Sequence, residues 1–214
     1  MNEESQLISN DQKKNDLKSL FLENKRNVLF FIIFILIGLF VYFFYLDFKK
    51  DEKLNISDRY NSAIFNYERK DATSVIFEMK NVINTKDSTY SPLALYFLLD
   101  NNLIQDKDEI NQLFDILINE VVLDKQIKNL VIYKKGLFNS DTANEDELLK
   151  ILNPLLNSDS LWKSHALFLM GEYFFHKNEK VKSKEFFEKI LQLEKSNNQI
   201  KLETQKILLR DFSA

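Results

Sequence analysis

The stretch Val28–Leu46, VLFFIIFILIGLFVYFFYL, is nineteen residues without a charged or amide side chain, near the start of an otherwise polar chain. At about 1.5 Å per helical residue it covers roughly the 30 Å hydrocarbon core of a bilayer. A core helix of a soluble domain would carry a polar stripe. Here the only polar side-chain atoms are the Tyr42 and Tyr45 phenols, grouped with Phe40, Phe43 and Phe44 where an aromatic belt meets the headgroups. A cleaved secretory signal has a shorter apolar core and a small-residue cleavage triplet. This run ends Tyr45-Leu46-Asp47-Phe48-Lys49, and the chain has no Cys to accept a lipid, so a retained signal-anchor is expected. Gly38 lacks a GxxxG partner, which argues against a dimerisation face in the span.

The anchor divides the 214 residues into three parts: an N-terminal tail 1–27, the span 28–46 and a soluble domain 47–214. In the tail, Leu17, Leu20 and Phe21 at helical spacing predict a short amphipathic helix over Asp16–Arg26. Lys13, Lys14, Lys18, Lys25 and Arg26 precede the span, and Lys49, Lys50, Lys53 and Arg59 follow it. The positive-inside rule therefore leans only slightly toward a cytoplasmic tail.

With 29 basic and 32 acidic residues, a net charge of −3, the chain offers no basic face for nucleic acid. Only three Gly and two Pro disfavour a sheet-rich fold and Gly-rich phosphate loops. The missing Cys excludes disulfides, thiolate metal sites and Cys nucleophiles. The expected fold is all-α.

Beyond Lys53 the pattern predicts paired helices. They cover 54–69 with 72–84, 92–103 with 109–123, 126–138 with 145–156 and 161–176 with 180–193, and a single helix closes the chain at 199–210. Ser91-Pro92 reads as a cap followed by a first-position Pro, Asp106/Glu109 and Asn144/Glu147 as capping boxes, and Pro154 as a kink or stop near Asn153. Ile76, Leu113, Leu149 and Phe186 hold similar places in the second helix of each pair, at spacings of 37, 36 and 37. Helix pairs recurring at about 34 residues or slightly more mark a solenoid. In the last pair Leu167, Gly171 and Phe174 match the tetratricopeptide positions of a first helix, and Ser183 and Phe187 those of a second, with the turn at Asn178-Glu179. The expectation is a tetratricopeptide-like solenoid of about four pairs plus a capping helix. An ordinary α-helical bundle with accidental spacing is the alternative.

No H-E-x-x-H, G-x-S-x-G, Walker or G-x-G-x-x-G motif occurs. His165 and His176 lie eleven residues apart, about 16 Å along a helix and too far to share a metal. The acidic clusters Asp106/Asp108/Glu109 and Glu145/Asp146/Glu147 open helices, where carboxylates complement the dipole. Phe174, Phe175, Phe186 and Phe187 read as packing within one repeat, and Trp162 as either a core residue or a groove anchor. A solenoid without a visible catalytic group favours a non-enzymatic binding module, with no cofactor, metal or small-molecule substrate expected. The first helices of the pairs would line a protein-binding groove, with Tyr60, Tyr67, Tyr96, Tyr133 and His165 as exposed candidates.

The layout resembles the ancillary SecYEG translocon subunit family, also called YfgM-like. Three local stretches carry the resemblance: Leu20-Phe21-Leu22-Glu23-Asn24-Lys25 before the span, Tyr90-Ser91-Pro92-Leu93-Ala94-Leu95, and Leu161-Trp162-Lys163-Ser164-His165-Ala166 running into Met170-Gly171-Glu172 and Asn178-Glu179-Lys180. The resemblance implies a bacterial inner-membrane protein with a cytoplasmic N-terminus and periplasmic repeats. Its implied partners are the SecYEG translocon and a membrane-anchored periplasmic chaperone, and its implied role is assistance to newly exported proteins. A scaffold for cell division or outer-membrane assembly, and a cytoplasm-facing adaptor, remain open beside it.

Overall fold

No Pro and a single Gly, Gly38, fall between Lys25 and Glu68, and these residues form one helix, α1 (Lys25–Glu68), of 44 residues. The computed structural model describes residues 25–68 and 71–212, and its contacts divide the chain into two compact units, Met1–Asn55 and Ile56–Ala214. The separate helix expected from Leu54 is therefore the end of a longer one, because Asp47–Lys53 contains nothing that breaks a helix. In the first unit every side chain from Leu29 to Leu46 is exposed, Phe34 to 75%. Among the described residues α1 alone is long and apolar enough to cross a membrane. Arg26 lies 6.0 Å from the Phe30 ring and Lys49 lies 5.4 Å from the Tyr45 ring, one cation–aromatic pair at each end of the apolar run. The amphipathic helix expected over 16–26 lies outside the described residues as far as Asn24.

The second unit continues with α2 (Ala72–Asn84), α3 (Tyr90–Asp100), α4 (Lys107–Asn119), α5 (Lys125–Asn139), α6 (Glu145–Leu156), α7 (Lys163–His176), α8 (Lys180–Gln192) and α9 (Asn198–Asp211), with no strand among the described residues. Helices α2, α4, α6 and α8 begin 35, 38 and 35 residues apart, and α3, α5, α7 and α9 repeat the same steps. The closing helix α9 thus stands in the register of a first helix. The longer middle step holds the longest of these helices, α5, and the loop Ser140–Asn144.

Short polar side chains start the helices. Asp71, Asp106, Asp124 and Asn197 each accept hydrogen bonds from amides of the first turn, and Asn144 with Glu147 forms a full capping box with both bonds at 3.0 Å. One expected cap moves, and one expected stop does not end its helix. Ser91 lies inside α3 rather than capping it; Asp87 Oδ1 instead accepts from the Thr89 and Tyr90 amides at 2.8 and 2.7 Å. Helix α6 runs past Pro154 to Leu156, since a Pro in the last turn removes one donor without ending the packed face, where Leu155 is fully buried. The turns after α3 and α7 use Asn102 (φ 51°) and Asn178 (φ 63°), with the amides of Leu103 and Glu179 bonding back to Leu98 and Phe174 at 2.9 Å.

The core runs along the stack as three neighbouring clusters. Ile118 packs on both the first and second, and Leu156 and Phe186 on both the second and third. From α2 onward each helix packs on its sequence neighbours, and α2 on α4, α5 on α7 and α7 on α9 add contacts two helices along. This is the quasi-one-dimensional order of a helical repeat. The most extensive contacts are α7 with α8, α2 with α3 and α5 with α6. The first and last of these are expected pairs. The second joins two of them, because Ser91 and Ala94 are both fully buried and small, and Ser91 Oγ donates to the Val82 and Ile83 carbonyls at 3.2 and 3.1 Å.

The other two close contacts also depend on small residues. A Cβ on Gly136 would collide with Leu152, and one on Gly171 would lie 2.6 Å from Cε1 of the Phe187 ring. Ser183 Oγ donates to the Gly171 carbonyl at 2.8 Å across the same crossing. Leu167, Gly171, Phe174, Ser183 and Phe187 are all buried there. Phe175 departs from its expected place in this repeat core: it is half-buried, with its ring 5.8 Å from Phe212 beyond α9.

The substitution Gly171→Ala should destabilise the protein by about 1–2 kcal/mol, an overpacking cost that exceeds the roughly 1 kcal/mol gained in helix propensity. A chemical denaturation midpoint measured on the full chain in detergent checks this, and an unchanged or raised midpoint contradicts it. Gly38→Ala, with open space around it, serves as the control.

Candidate functional site

The five groove candidates sit on the first helices of the pairs, and all five are half-buried rather than exposed. Their amphipathic rings lie down on neighbouring helices instead of standing in solvent. Tyr60 packs at 5.6 Å from Tyr90, whose hydroxyl donates to Ser57 Oγ at 2.8 Å. Tyr67 meets Phe97 edge-on at 5.3 Å. Tyr96 lies under Lys134, with Nζ 4.3 Å from the ring centre. Its buried hydroxyl has no hydrogen-bond partner among the described residues, and burial, reinforced by Asp100, pushes its pKa up to about 12.

Only Tyr133 of α5 and His165 of α7 come together directly, with ring centres 5.5 Å apart. Trp162 completes this cluster, stacked on Tyr133 at 5.5 Å and 4.8 Å from His165. It is half-buried and also packs on the second core cluster, so both readings of this residue describe part of its setting. The cluster borders a hollow of about 410 Å³ whose lining includes Tyr133, His165, Phe168, Asn197, Ile200 and Glu203. The last three come from the cap and first turns of α9, which packs on α7.

Burial shapes the electrostatics of the hollow. Desolvation lowers the His165 pKa from its ordinary 6.5, with the Leu161 carbonyl opposing that shift. That carbonyl is near enough to favour the protonated ring, yet buried Nδ1 has no partner in hydrogen-bonding geometry. Burial raises the pKa of Glu172, His176 opposes the rise, and the like charge of Glu203 adds to it. Tyr133 is raised by burial and then by the charge of Glu172. An imidazole whose protonation burial disfavours, an aromatic wall and a half-buried carboxylate thus lie along one face of α7 and its neighbours.

Two further cavities frame this one. A larger hollow of about 560 Å³ between α4, α5 and α6 is bordered by Asp115 and Lys135, paired at 2.7 Å, and by Asn111 and Asn139, which exchange amide hydrogen bonds at 3.1 and 2.8 Å. These groups satisfy one another, a structural role. The other, about 400 Å³, lies toward the C-terminal end of α7 and is lined in part by Leu137, Glu172, Tyr173 and His176. Among the described residues, no three His, Asp or Glu side chains gather as a metal site.

Phe168, Glu172, Ile200 and Glu203 were not among the groove candidates. Phe168 and Glu172 follow His165 at positions i+3 and i+7 of one helix, a spacing legible in the chain. Ile200 and Glu203 reach the hollow only because α9 folds back on α7. Comparison with family models, curated proteins and solved structures finds no match to this chain.

His165 supplies a pH test. Its folded pKa is depressed, so the unfolded chain takes up the proton first and stability falls as pH drops below 6.5. Between pH 7 and pH 5 the loss should be larger in the wild type than in His165→Gln, by less than about 1 kcal/mol given the partial exposure of the ring. Parallel denaturation curves across that range would contradict it.

Proposed function

We propose that this protein is a non-enzymatic, membrane-tethered binding module whose helical repeats dock other proteins. The observation that carries this reading is the aromatic hollow on α5 and α7. It exposes part of Tyr133, His165 and Phe168, with Trp162 stacked beside them, at a place where repeat proteins offer an extended surface. The long apolar helix α1 supports the tether.

The resemblance to the ancillary translocon subunits supplies the rest: repeats on the periplasmic side of a bacterial inner membrane, in contact with SecYEG and a membrane-anchored chaperone. The five basic residues before the span, against four after it, lean the same way. Chemical crosslinking in native membranes followed by mass spectrometry should recover SecY or such a chaperone. Recovery of division or outer-membrane assembly components in their place overturns the partner assignment. Protease added to spheroplasts should digest residues 47–214, and a protected domain overturns the topology.

A further inference from the structure

Glu172 is half-buried and forms no hydrogen bond or ion pair among the described residues. His176, one turn further along α7, is the neighbour that favours its charge, while Glu203 of α9 opposes it. Glu172 follows Phe168 by one turn and His165 by two, and its charge reaches Tyr133. It lines the 400 Å³ hollow along α7, one helical turn from Phe168, which lines the 410 Å³ one, so the two hollows adjoin along that helix face. The positive groups nearby are weakly committed. Lys206 meets Glu203 at 3.6 Å with both side chains largely exposed, and Lys177 lies 5.5 Å from the Tyr173 ring.

Three kinds of partner side chain compete for such a place. An acidic one would bring a third negative charge beside Glu172 and Glu203. An apolar one would cover Glu172 further and leave a buried carboxylate without a counter-charge, which is costly. A cationic one would pair with both carboxylates and lie against aromatic faces, which attract cations through the ring quadrupole. We infer that the hollow of Tyr133, His165, Phe168 and Glu203, with Glu172 beside it, is a subsite for an arginine or lysine side chain of a polypeptide partner. This rests on the protein-binding reading above and names the chemistry that such a partner presents.

The test uses the full chain in detergent and three fluorescein-labelled heptapeptides of alanine and leucine that differ at the central residue: arginine, citrulline or glutamate. Citrulline keeps the shape of arginine and loses its charge. Fluorescence anisotropy should give a Kd for the arginine peptide about tenfold below that of the citrulline peptide, with the glutamate peptide weakest. Glu172→Gln should bring the arginine and citrulline values within about twofold of each other, as expected when the paired charge is lost. Glu203→Gln gives an independent variant should the first not fold, as judged by circular dichroism. Equal binding of arginine and citrulline peptides, no binding of any peptide, or an arginine preference that both variants retain overturns the subsite. If partners are still crosslinked in membranes while the arginine preference is absent, the cationic subsite fails and the protein-binding reading stands. If no partner is crosslinked to the wild-type chain, the reading itself fails.

Discussion

The Phe187 ring of α8 occupies the space where a side chain at position 171 of α7 would begin, and the order of the last repeats depends on that approach. With Gly171 bare, the helices come close enough for Ser183 to donate to the Gly171 carbonyl and for Phe174 and Phe187 to be 1% exposed. Gly136 under Leu152 does the same for α5 and α6, and Ser91 with Ala94 for α2 and α3. Dispersion falls off steeply with separation, so the interfaces with small residues at the crossing bury the most complete contacts. In a stack where each helix touches only near neighbours, stability is roughly the sum of those interfaces. The same contacts hold α7 against α8 and α9, and α9 with α5 and α7 borders the hollow beside Tyr133 and His165.

Most buried polar side chains inside this stack find a partner, across a helix crossing, in a loop or one turn back in their own helix. Ser91 and Ser183 donate to carbonyls across helices, Asn129 donates to Ser160 at 2.8 Å, and Thr204 turns back to the Ile200 carbonyl at 2.7 Å. The exceptions among the described residues are Tyr96 Oη and His165 Nδ1, both on the first-helix face. Unpaired buried polar atoms are costly where water is excluded.

Much of the architecture was legible in the chain. Apolar residues at helical spacing, with Asp or Asn before them, located α2 and α6 to the residue and the other soluble helices to within a few residues at each end. Where the reading missed, a competing local effect decided. Asp87, two residues before the Thr89 cap, accepts the amides at the start of α3 in place of Ser91, and the missing breaker in Asp47–Lys53 joined two helices into α1. The candidate site was legible only in part. Periodicity marks which face of a helix is apolar but not which helix will cover it. Tyr133 and His165 therefore met, while Tyr60 and Tyr67 settled against Tyr90 and Phe97 instead.

The amino-acid sequence by itself determined an apolar helix long enough for a bilayer and helix pairs recurring at 36 to 37 residues, because length, hydropathy and capping are local properties. It also marked Gly171, Ser183 and Phe187 as a packing set. Only the tertiary structure decided that α2 would join α3 more closely than α3 joins α4. It also decided that Ile200 and Glu203 would close a hollow with Tyr133 and His165, and that Glu172 would be half-buried along the same helix face without an ion pair among the described residues. Those outcomes depend on how near two helices approach. That distance is set by the size of both side chains at a crossing, and the two lie far apart in the chain.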